Sequence, residues 1–231
     1  MLDFNYAVYI DGGSVLLMSH ELSARECTDV LDSTLFMQLA AAAEQPGLDG
    51  YEQWWGGYRS QLNKFGWSRI QDFEGSFRSD PDLLPQTVSQ AVASKVRRFL
   101  SAEYVDAVGR AFIEVSRLSP HHLARTLLRY YSIAEDPVSK LTTVRLQFGI
   151  VVAGARLIYL TVSFITREAF SSSIIEQNFL TDDIVGEIEF KGCVAVLDSA
   201  AYDSWRGRIA MAVAPFREEQ IRAVSSPNTE W

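Results

Sequence analysis

The chain has 231 residues, of which 48% are apolar and 22% charged, and its net charge is −8. Thirteen Phe, nine Tyr and five Trp supply enough apolar area to offset the entropy of ordering, which excludes an intrinsically disordered protein. Residues 1–66 carry nine acidic side chains against three basic ones, and this excess disfavours binding to nucleic acid or to an anionic membrane surface.

The first elements of the chain are predicted to be a hairpin and a capped helix. Residues 4–18 alternate around an Asp-Gly-Gly turn, which is a strong hairpin signal. Ser23 and Glu26 match a capping box, and the helix that follows should run to about Glu44 with its apolar residues near one face. Acidic residues replace the basic start of a signal peptide, so we expect a cytoplasmic protein as synthesised, with signal-less export left open.

A second helix is predicted from a cap at Asp49 to Gly66, which sits where a helix ends. It carries an aromatic stripe typical of a core, and Gly56-Gly57 suggests close approach to the alanine-rich face of the preceding helix. The alternative is that helix 51–65 and the sheet enclose an apolar ligand. The candidate ligand-binding residues on this stripe are Trp54, Trp55 and Tyr58.

The middle of the chain is predicted to be an edge strand, a loop and three helices. The strand covers residues 67–77 and the loop covers residues 79–85. Ser119-Pro120 should cap the last of the three helices. The helices are marked by Val88, Val92, Val96 and Phe99, then by Val105, Val108, Phe112 and Val115, and then by Leu123, Leu127, Tyr130 and Tyr131.

The stretch around residues 144–165 is predicted to be the central hairpin of a sheet. Apolar and polar residues alternate from Val144 to Ile150 and again from Ile158 to Phe164, which is the period-two signature of half-buried strands. The link between the two runs contains a glycine, as hairpin loops often do.

A third strand is predicted over residues 185–197. Glu187, Glu189 and Lys191 should share a solvated face of it, and Gly192 should mark a bulge.

The predicted C-terminal helix covers residues 199–214. Asp198 or Ser199 caps it, Pro215 stops or kinks it, and the tail 225–231 should fray.

These elements predict a single α+β domain over residues 1–231. A helix-rich part, 19–133, should form an N-terminal layer on one face of a small antiparallel sheet formed by 141–197. The C-terminal helix then closes the fold.

Candidates for chemistry are few, and no catalytic residue, cofactor or metal site is predicted. His121 and His122 are neighbours, so they do not share a helix face and cannot easily bind one metal. Arg125 and Arg129 do share a face, which is either solvated or binds an anion. Cys27 fits no metal spacing.

One cysteine and one pair of glutamates leave two further functional interpretations open. Cys193 is a candidate for modification, although a buried, reduced thiol is the usual state of a lone cysteine. Glu187 and Glu189 leave open a carboxylate-based hydrolase, which would need a defined separation across a cleft.

One sequence pattern resembles a group of uncharacterised microbial α+β proteins. It begins with Gln38-Leu39-Ala40-Ala41 and continues as Trp55-x-x-Tyr58-x-x-x-Leu62-x-x-x-Gly66-Trp67. A closing Tyr202-x-x-x-Arg206 helix belongs to the same pattern. The resemblance implies the fold and attaches no activity.

The leading functional hypothesis is a non-enzymatic binding protein, a microbial effector or accessory factor whose partner is an unknown protein or an apolar ligand. It follows from a well-capped scaffold without a chemical motif. The alternative is a membrane-active or lipid-binding, toxin-like protein that uses the 144–165 hairpin, which is apolar enough to insert if its helices release it. Oligomeric state is not predicted.

Overall fold

The computed structural model describes residues 5–48, 50–78, 86–87, 101–169, 177–179 and 181–225. The helices are α1 (Ala24–Glu44), α2 (Tyr51–Lys64), α3 (Ala102–Arg117), α4 (Leu123–Ser132) and α5 (Ser199–Gln220). The strands are β1 (Tyr6–Asp11), β2 (Ser14–Ser19), β3 (Trp67–Phe77), β4 (Gln86–Thr87), β5 (Ile133–Glu135), β6 (Thr142–Val152), β7 (Arg156–Thr166), β8 (Asn178–Phe179), β9 (Ile184–Leu197) and β10 (Ile221–Ser225).

The main sheet is larger than the predicted one and is mixed rather than antiparallel. Within the described residues it has eight strands in the order β10-β1-β2-β6-β7-β9-β3, with β5 paired to β6. The described pairings of this sheet are antiparallel except that of β2 with β6, where Ser14 lies beside Gln147. Parallel neighbours need a long crossover, which the helices between these strands supply. The α+β class is confirmed, and the small antiparallel sheet was wrong.

Local signals located the hairpins correctly. β6 and β7 pair over their full length, from Thr142 with Thr166 to Val152 with Arg156. The N-terminal hairpin turns at Gly12, whose φ of 55° suits a residue without a side chain. β3 is an edge strand, as predicted.

Helices cover both faces of the sheet, whereas one covered face was predicted. One core contains residues of α3 and α4 packed on the apolar side of β6 and β7. The other contains residues of α1, α2 and α5 packed on the opposite side. The fold therefore has three layers, and the central hairpin is covered on each face.

Helix α1 begins with the predicted capping box of Ser23 and Glu26. It is buried around most of its circumference, because it lies against the sheet, α2 and α5. Its buried acids are paired: Asp29 accepts from Arg206 at 2.8 Å and Asp32 forms an ion pair with Arg217.

Two predicted helix caps were wrong. The N-cap of α2 is Gly50 in a left-handed conformation rather than Asp49, which lies outside the described residues. The N-cap of α4 is His122, whose Nδ1 accepts the Ala124 N–H at 3.2 Å, rather than Ser119.

The predicted buried face of α4 was also wrong. Its buried residues are Ala124, Leu128 and Ser132, while Leu123 and Tyr130 are exposed. Leu127 is half-buried and packs on the core, so the face that packs on the sheet only partly overlaps the predicted one.

Helix α5 begins at the predicted cap, Asp198, and continues through Pro215 to Gln220. Pro215 is exposed, so water can satisfy the carbonyl that loses its partner. The Tyr131 hydroxyl donates to Gln220 at 3.0 Å and the Gly12 N–H donates to the Gln220 carbonyl at 2.8 Å, which holds the last turn. β10 then extends to Ser225, and residues 226–231 of the predicted frayed tail lie outside the described residues, as do the loop 79–85 and the helix marked by Val88–Phe99.

Gly192 does not mark a bulge; it allows close packing. A Cβ there would lie 2.1 Å from the Phe73 ring and 2.4 Å from the Tyr159 carbonyl oxygen. The register instead shifts between Arg69 and Gln71.

We expect Gly192→Ala to lower the free energy of unfolding by about 3 kcal/mol, because the backbone oxygen cannot move aside without breaking the sheet. Gly207→Ala is the matched control: nothing lies within 4 Å of the added carbon, and this position is inside α5. The control should be neutral or stabilising by up to about 1 kcal/mol. Urea unfolding of the two variants measures the difference, and equal stabilities would contradict the packing role.

Candidate functional site

The central hairpin has one apolar face and one polar face. On β6 and β7 the apolar face carries Val144, Leu146, Phe148, Ile150, Leu160, Val162 and Phe164, all of them in the core beneath α3 and α4. The opposite face carries Arg145, Gln147, Thr161 and Ser163. Each strand is 11 residues long.

The polar face is buried. Arg145 is 1% exposed, Gln147 3%, Thr161 0% and Ser163 8%. Sheets covered by helices on both sides are usually apolar on both sides. This sheet departs from that rule at its centre, so a polar surface that would suit water is instead covered by α2.

Arg145 is the charged group of this face. Its Nη2 donates to the Leu48 carbonyl at 2.5 Å. Its guanidinium also lies over the Trp54 ring at 5.0 Å and the Tyr51 ring at 5.6 Å. Cation–π contacts offset part of the cost of removing a cation from water. The first turn of α2 therefore covers Arg145 and places two aromatic rings against its guanidinium.

A second buried cation, Lys191 on β9, binds the same helix. It is 9% exposed and forms an ion pair with Glu52. The Tyr51 ring lies 5.6 Å from its Nζ, and the Tyr51 hydroxyl donates to the Thr161 carbonyl at 3.2 Å. The predicted solvated face was thus wrong at Lys191, because α2 covers this part of β9.

Neutral polar groups complete the layer beneath α2. The Tyr159 hydroxyl lies 2.5 Å from Gln147 Oε1 and 2.7 Å from the Ser14 hydroxyl. The Thr161 hydroxyl has no hydrogen-bond partner within the described part of the chain. An unsatisfied buried hydroxyl costs about 1–3 kcal/mol, so this layer stabilises the fold less than an apolar layer would.

A fully buried carboxyl group lies at the neighbouring β1–β2 turn. Asp11 accepts from the Thr34 hydroxyl at 2.5 Å, while its Oδ1 has no hydrogen-bond partner among the described residues. Burial raises the pKa of Asp11 to about 8, although the Thr34 hydrogen bond and the charge of Arg217 act in the other direction. The sequence marked this residue as the start of the Asp-Gly-Gly turn and gave no sign of its burial.

The three predicted aromatic ligand-binding residues lie together in a ring stack. Trp54 and Trp55 are each 3% exposed and Tyr58 is 0%. Their rings stack on one another and on Tyr159, with the Tyr58 and Tyr159 centroids 4.9 Å apart. The rings fill the space between α2 and the sheet where the ligand pocket had been predicted.

Arg125 and Arg129 share α4 but contact different groups. Arg125 donates to the Ser116 carbonyl at 3.1 Å and the Leu118 carbonyl at 2.8 Å, so it caps the end of α3. Arg129 lies 3.5 Å from Glu135. It lines an open cleft of about 490 Å³ with Thr126, Tyr130, Ile133 and Glu135.

The remaining candidates are separated from one another. Cys193 is fully buried, and burial raises the pKa of its thiol to about 12; both Cys193 and Cys27 are free thiols. Glu187 accepts from the Ser76 hydroxyl and lies 3.7 Å from Arg78, while Glu189 is exposed. Within the described ranges, no group of three or more His, Cys, Asp or Glu side chains is placed to hold a metal ion.

No protein-family model matches the chain, and no curated protein matches it. A solved δ-endotoxin is 12% identical, with 81% of each chain covered and a TM-score of 0.45. The activated Cyt2Ba monomer from Bacillus thuringiensis subsp. israelensis is 12% identical, covers 82% of this chain and 100% of its own, and has a TM-score of 0.43. The Evf virulence factor is 10% identical, covers 94% of this chain and 85% of its own, and has a TM-score of 0.33. At these values the likeness says nothing about what this chain does.

Asp11 makes the stability of the fold depend on pH. Its folded pKa of about 8 lies above the ordinary value of 3.8, so the native state keeps a proton that the unfolded chain releases between these values. The free energy of unfolding therefore falls as pH rises through this window.

We expect Asp11→Asn to remove this dependence. The unfolding free energy of the wild type, relative to the variant, should fall by on the order of 1.4 kcal/mol per pH unit between about pH 5 and pH 7. Urea unfolding at several pH values measures it, with the exposed Asp106→Asn as the control. Parallel curves for the wild type and Asp11→Asn would contradict the assignment.

Proposed function

We propose that this chain is a membrane-active protein that inserts the β6–β7 hairpin into a lipid bilayer. One observation carries the proposal. The hairpin alternates apolar and polar residues along the part of each strand away from the turn, yet the polar face is buried beneath α2. In this fold the polar face of the hairpin is kept from water. In a membrane pore the polar face would meet water and the apolar face would meet lipid.

The length of the strands fits a bilayer. Each strand has 11 residues, and a tilted strand needs about 9–11 residues to cross the hydrocarbon core. The face of Val144, Phe148 and Leu160 would meet lipid, and the face of Gln147 and Thr161 would meet water. This is the pattern of membrane-crossing strands, in which lipid-facing and water-facing residues alternate.

The tip of the hairpin is suited to enter first. Val151 and Leu157 are register partners on the face that is polar further down, so this face is apolar near the turn, while Arg156 pairs with Val152 on the other face. The turn itself is short and made of small residues, with Gly154 at a φ of 73°. Arg156 is the one charged side chain that would have to cross the bilayer with this tip.

Insertion requires both helical layers and the neighbouring strands to separate from the hairpin. Helix α2 would leave one face, which breaks the Glu52–Lys191 ion pair and frees Arg145. Helices α3 and α4 would leave the other face. The backbone groups that pair β6 with β2 and β7 with β9 would need new partners, because an unpaired backbone group in lipid costs several kcal/mol. Hairpins from further copies of this chain can supply them.

A binding protein remains the second candidate, and the cleft beside α4 favours it. Tyr130 is 76% exposed at the rim of this cleft. Native mass spectrometry tests this role, since a bound ligand would add mass that is lost on denaturation. A bare mass at every concentration, with no protein partner retained, would count against it.

Dye-loaded phosphatidylcholine vesicles test insertion directly, with a disulfide that holds the hairpin in the sheet. Ser163 and Glu189 are partners on adjacent antiparallel strands, β7 and β9, so Ser163→Cys with Glu189→Cys should link them. We expect the wild type to release dye, the oxidised double variant to release none, and a reductant to restore release.

The matched control places a disulfide inside the hairpin. Thr143 and Ile165 are partners on β6 and β7, so Thr143→Cys with Ile165→Cys leaves the hairpin free to move as a unit. This variant should release dye when oxidised. Intact vesicles with the wild type across pH and lipid composition would refute the proposal, as would equal release from both oxidised variants.

A further inference from the structure

We infer that Arg145 makes the proposed pore selective for anions, an inference that rests on the proposed insertion of β6 and β7. From Thr142 to Thr166 the sequence contains two charged residues, Arg145 and Arg156. Arg156 begins β7 beside the turn and pairs with Val152 on the apolar side. Arg145 lies on the polar side, opposite Ser163, and is the one charged residue there.

The soluble fold does not need a cation at this position. Val151 and Leu157, nearer the tip of the same face, are fully buried apolar residues. Replacing buried ion pairs by apolar residues of similar volume is often neutral or stabilising, so burial of a charge is weak evidence that a fold needs it. The contacts of Arg145 with Trp54 and the Leu48 carbonyl reduce the cost of the charge without removing it. A charge that costs the soluble form free energy fits a role in the inserted form.

The position of Arg145 along the strand suits a role in selecting anions over cations. It is the fourth residue of β6, two residues before Gln147 at the centre of the strand, which places it about 7 Å from the middle. Its neighbours on this face, Gln147, Thr161 and Ser163, are neutral. Every copy in the assembly would add one guanidinium at the same depth. Rings of arginine or lysine favour anions, whereas rings of aspartate or glutamate favour cations.

Measurements of the reversal potential test whether Arg145 sets the ion selectivity of the proposed pore. The wild type would be added to planar bilayers of phosphatidylcholine, whose headgroups carry no net charge, under a steep KCl gradient. We expect a reversal potential with the sign of chloride permeation. Arg145→Gln should move it close to zero, Arg145→Glu should reverse its sign, and Arg145→Lys should retain the wild-type value.

Two variants separate selectivity from folding. Arg208→Gln removes the same charge from an exposed position on α5 and should leave the reversal potential unchanged. Ser163→Asp keeps Arg145 and places a carboxylate opposite it, so it should shift the potential toward zero even if the substitutions of Arg145 fail to fold. Near-ultraviolet circular dichroism before addition to the bilayer confirms which variants are folded.

The outcomes for the two proposals are distinct. A conducting wild type that prefers potassium overturns the inference and leaves the proposed function standing. A reversal potential that stays the same in folded Arg145→Gln and in Ser163→Asp has the same effect. Absence of both conductance and dye release from the wild type overturns both proposals.

Discussion

The packing of α2 over the polar face of β6, β7 and β9 is the contact on which the inner layer of the fold depends. Arg145 is a buried cation on a central strand, and Trp54 together with the Leu48 carbonyl offsets part of the cost of burying it. Lys191 and Glu52 fix the same helix over β9. Because both contacts are polar and specific, they set the position of α2 across β6, β7 and β9 more precisely than apolar packing alone would.

Helix α1 supports α2 from behind. At Gly57 a Cβ would lie 3.7 Å from the Ala41 Cβ, so the two helices approach closely there. On its other side α1 is joined to α5 by the ion pairs of Asp29 with Arg206 and of Asp32 with Arg217. The cover over the polar face is therefore backed by two further helices: α2 packs closely on α1, and ion pairs join α1 to α5.

The two faces of the hairpin explain why the same segment serves as a core and as a candidate membrane element. In the folded structure its apolar face packs against α3 and α4, and its polar face is held by Arg145, Tyr159 and the groups around them. In a bilayer the first face would meet lipid and the second would meet water. The difference between the two states lies mainly in where the polar face resides, because the apolar face is away from water in both.

Sequence alone determined the features whose causes are local. The capping box of Ser23 and Glu26, the glycine turn before β2 and the alternation along β6 and β7 each depend on neighbours in the chain, and each was found. The close approach at Gly57 was also anticipated. The starts of α2 and α4 were missed, because their caps are Gly50 and His122 rather than Asp49 and Ser119.

Tertiary structure alone decided what covers each face. The parallel pairing of β2 with β6, the burial of Asp11 against Thr34 and the placement of Lys191 away from an edge all depend on residues far apart in the chain. Alternation shows that a strand has a polar face, but it does not show whether water or a helix lies against it. The packing of the whole chain decides this contact. Here it places α2 against the polar face of the hairpin, which buries Arg145.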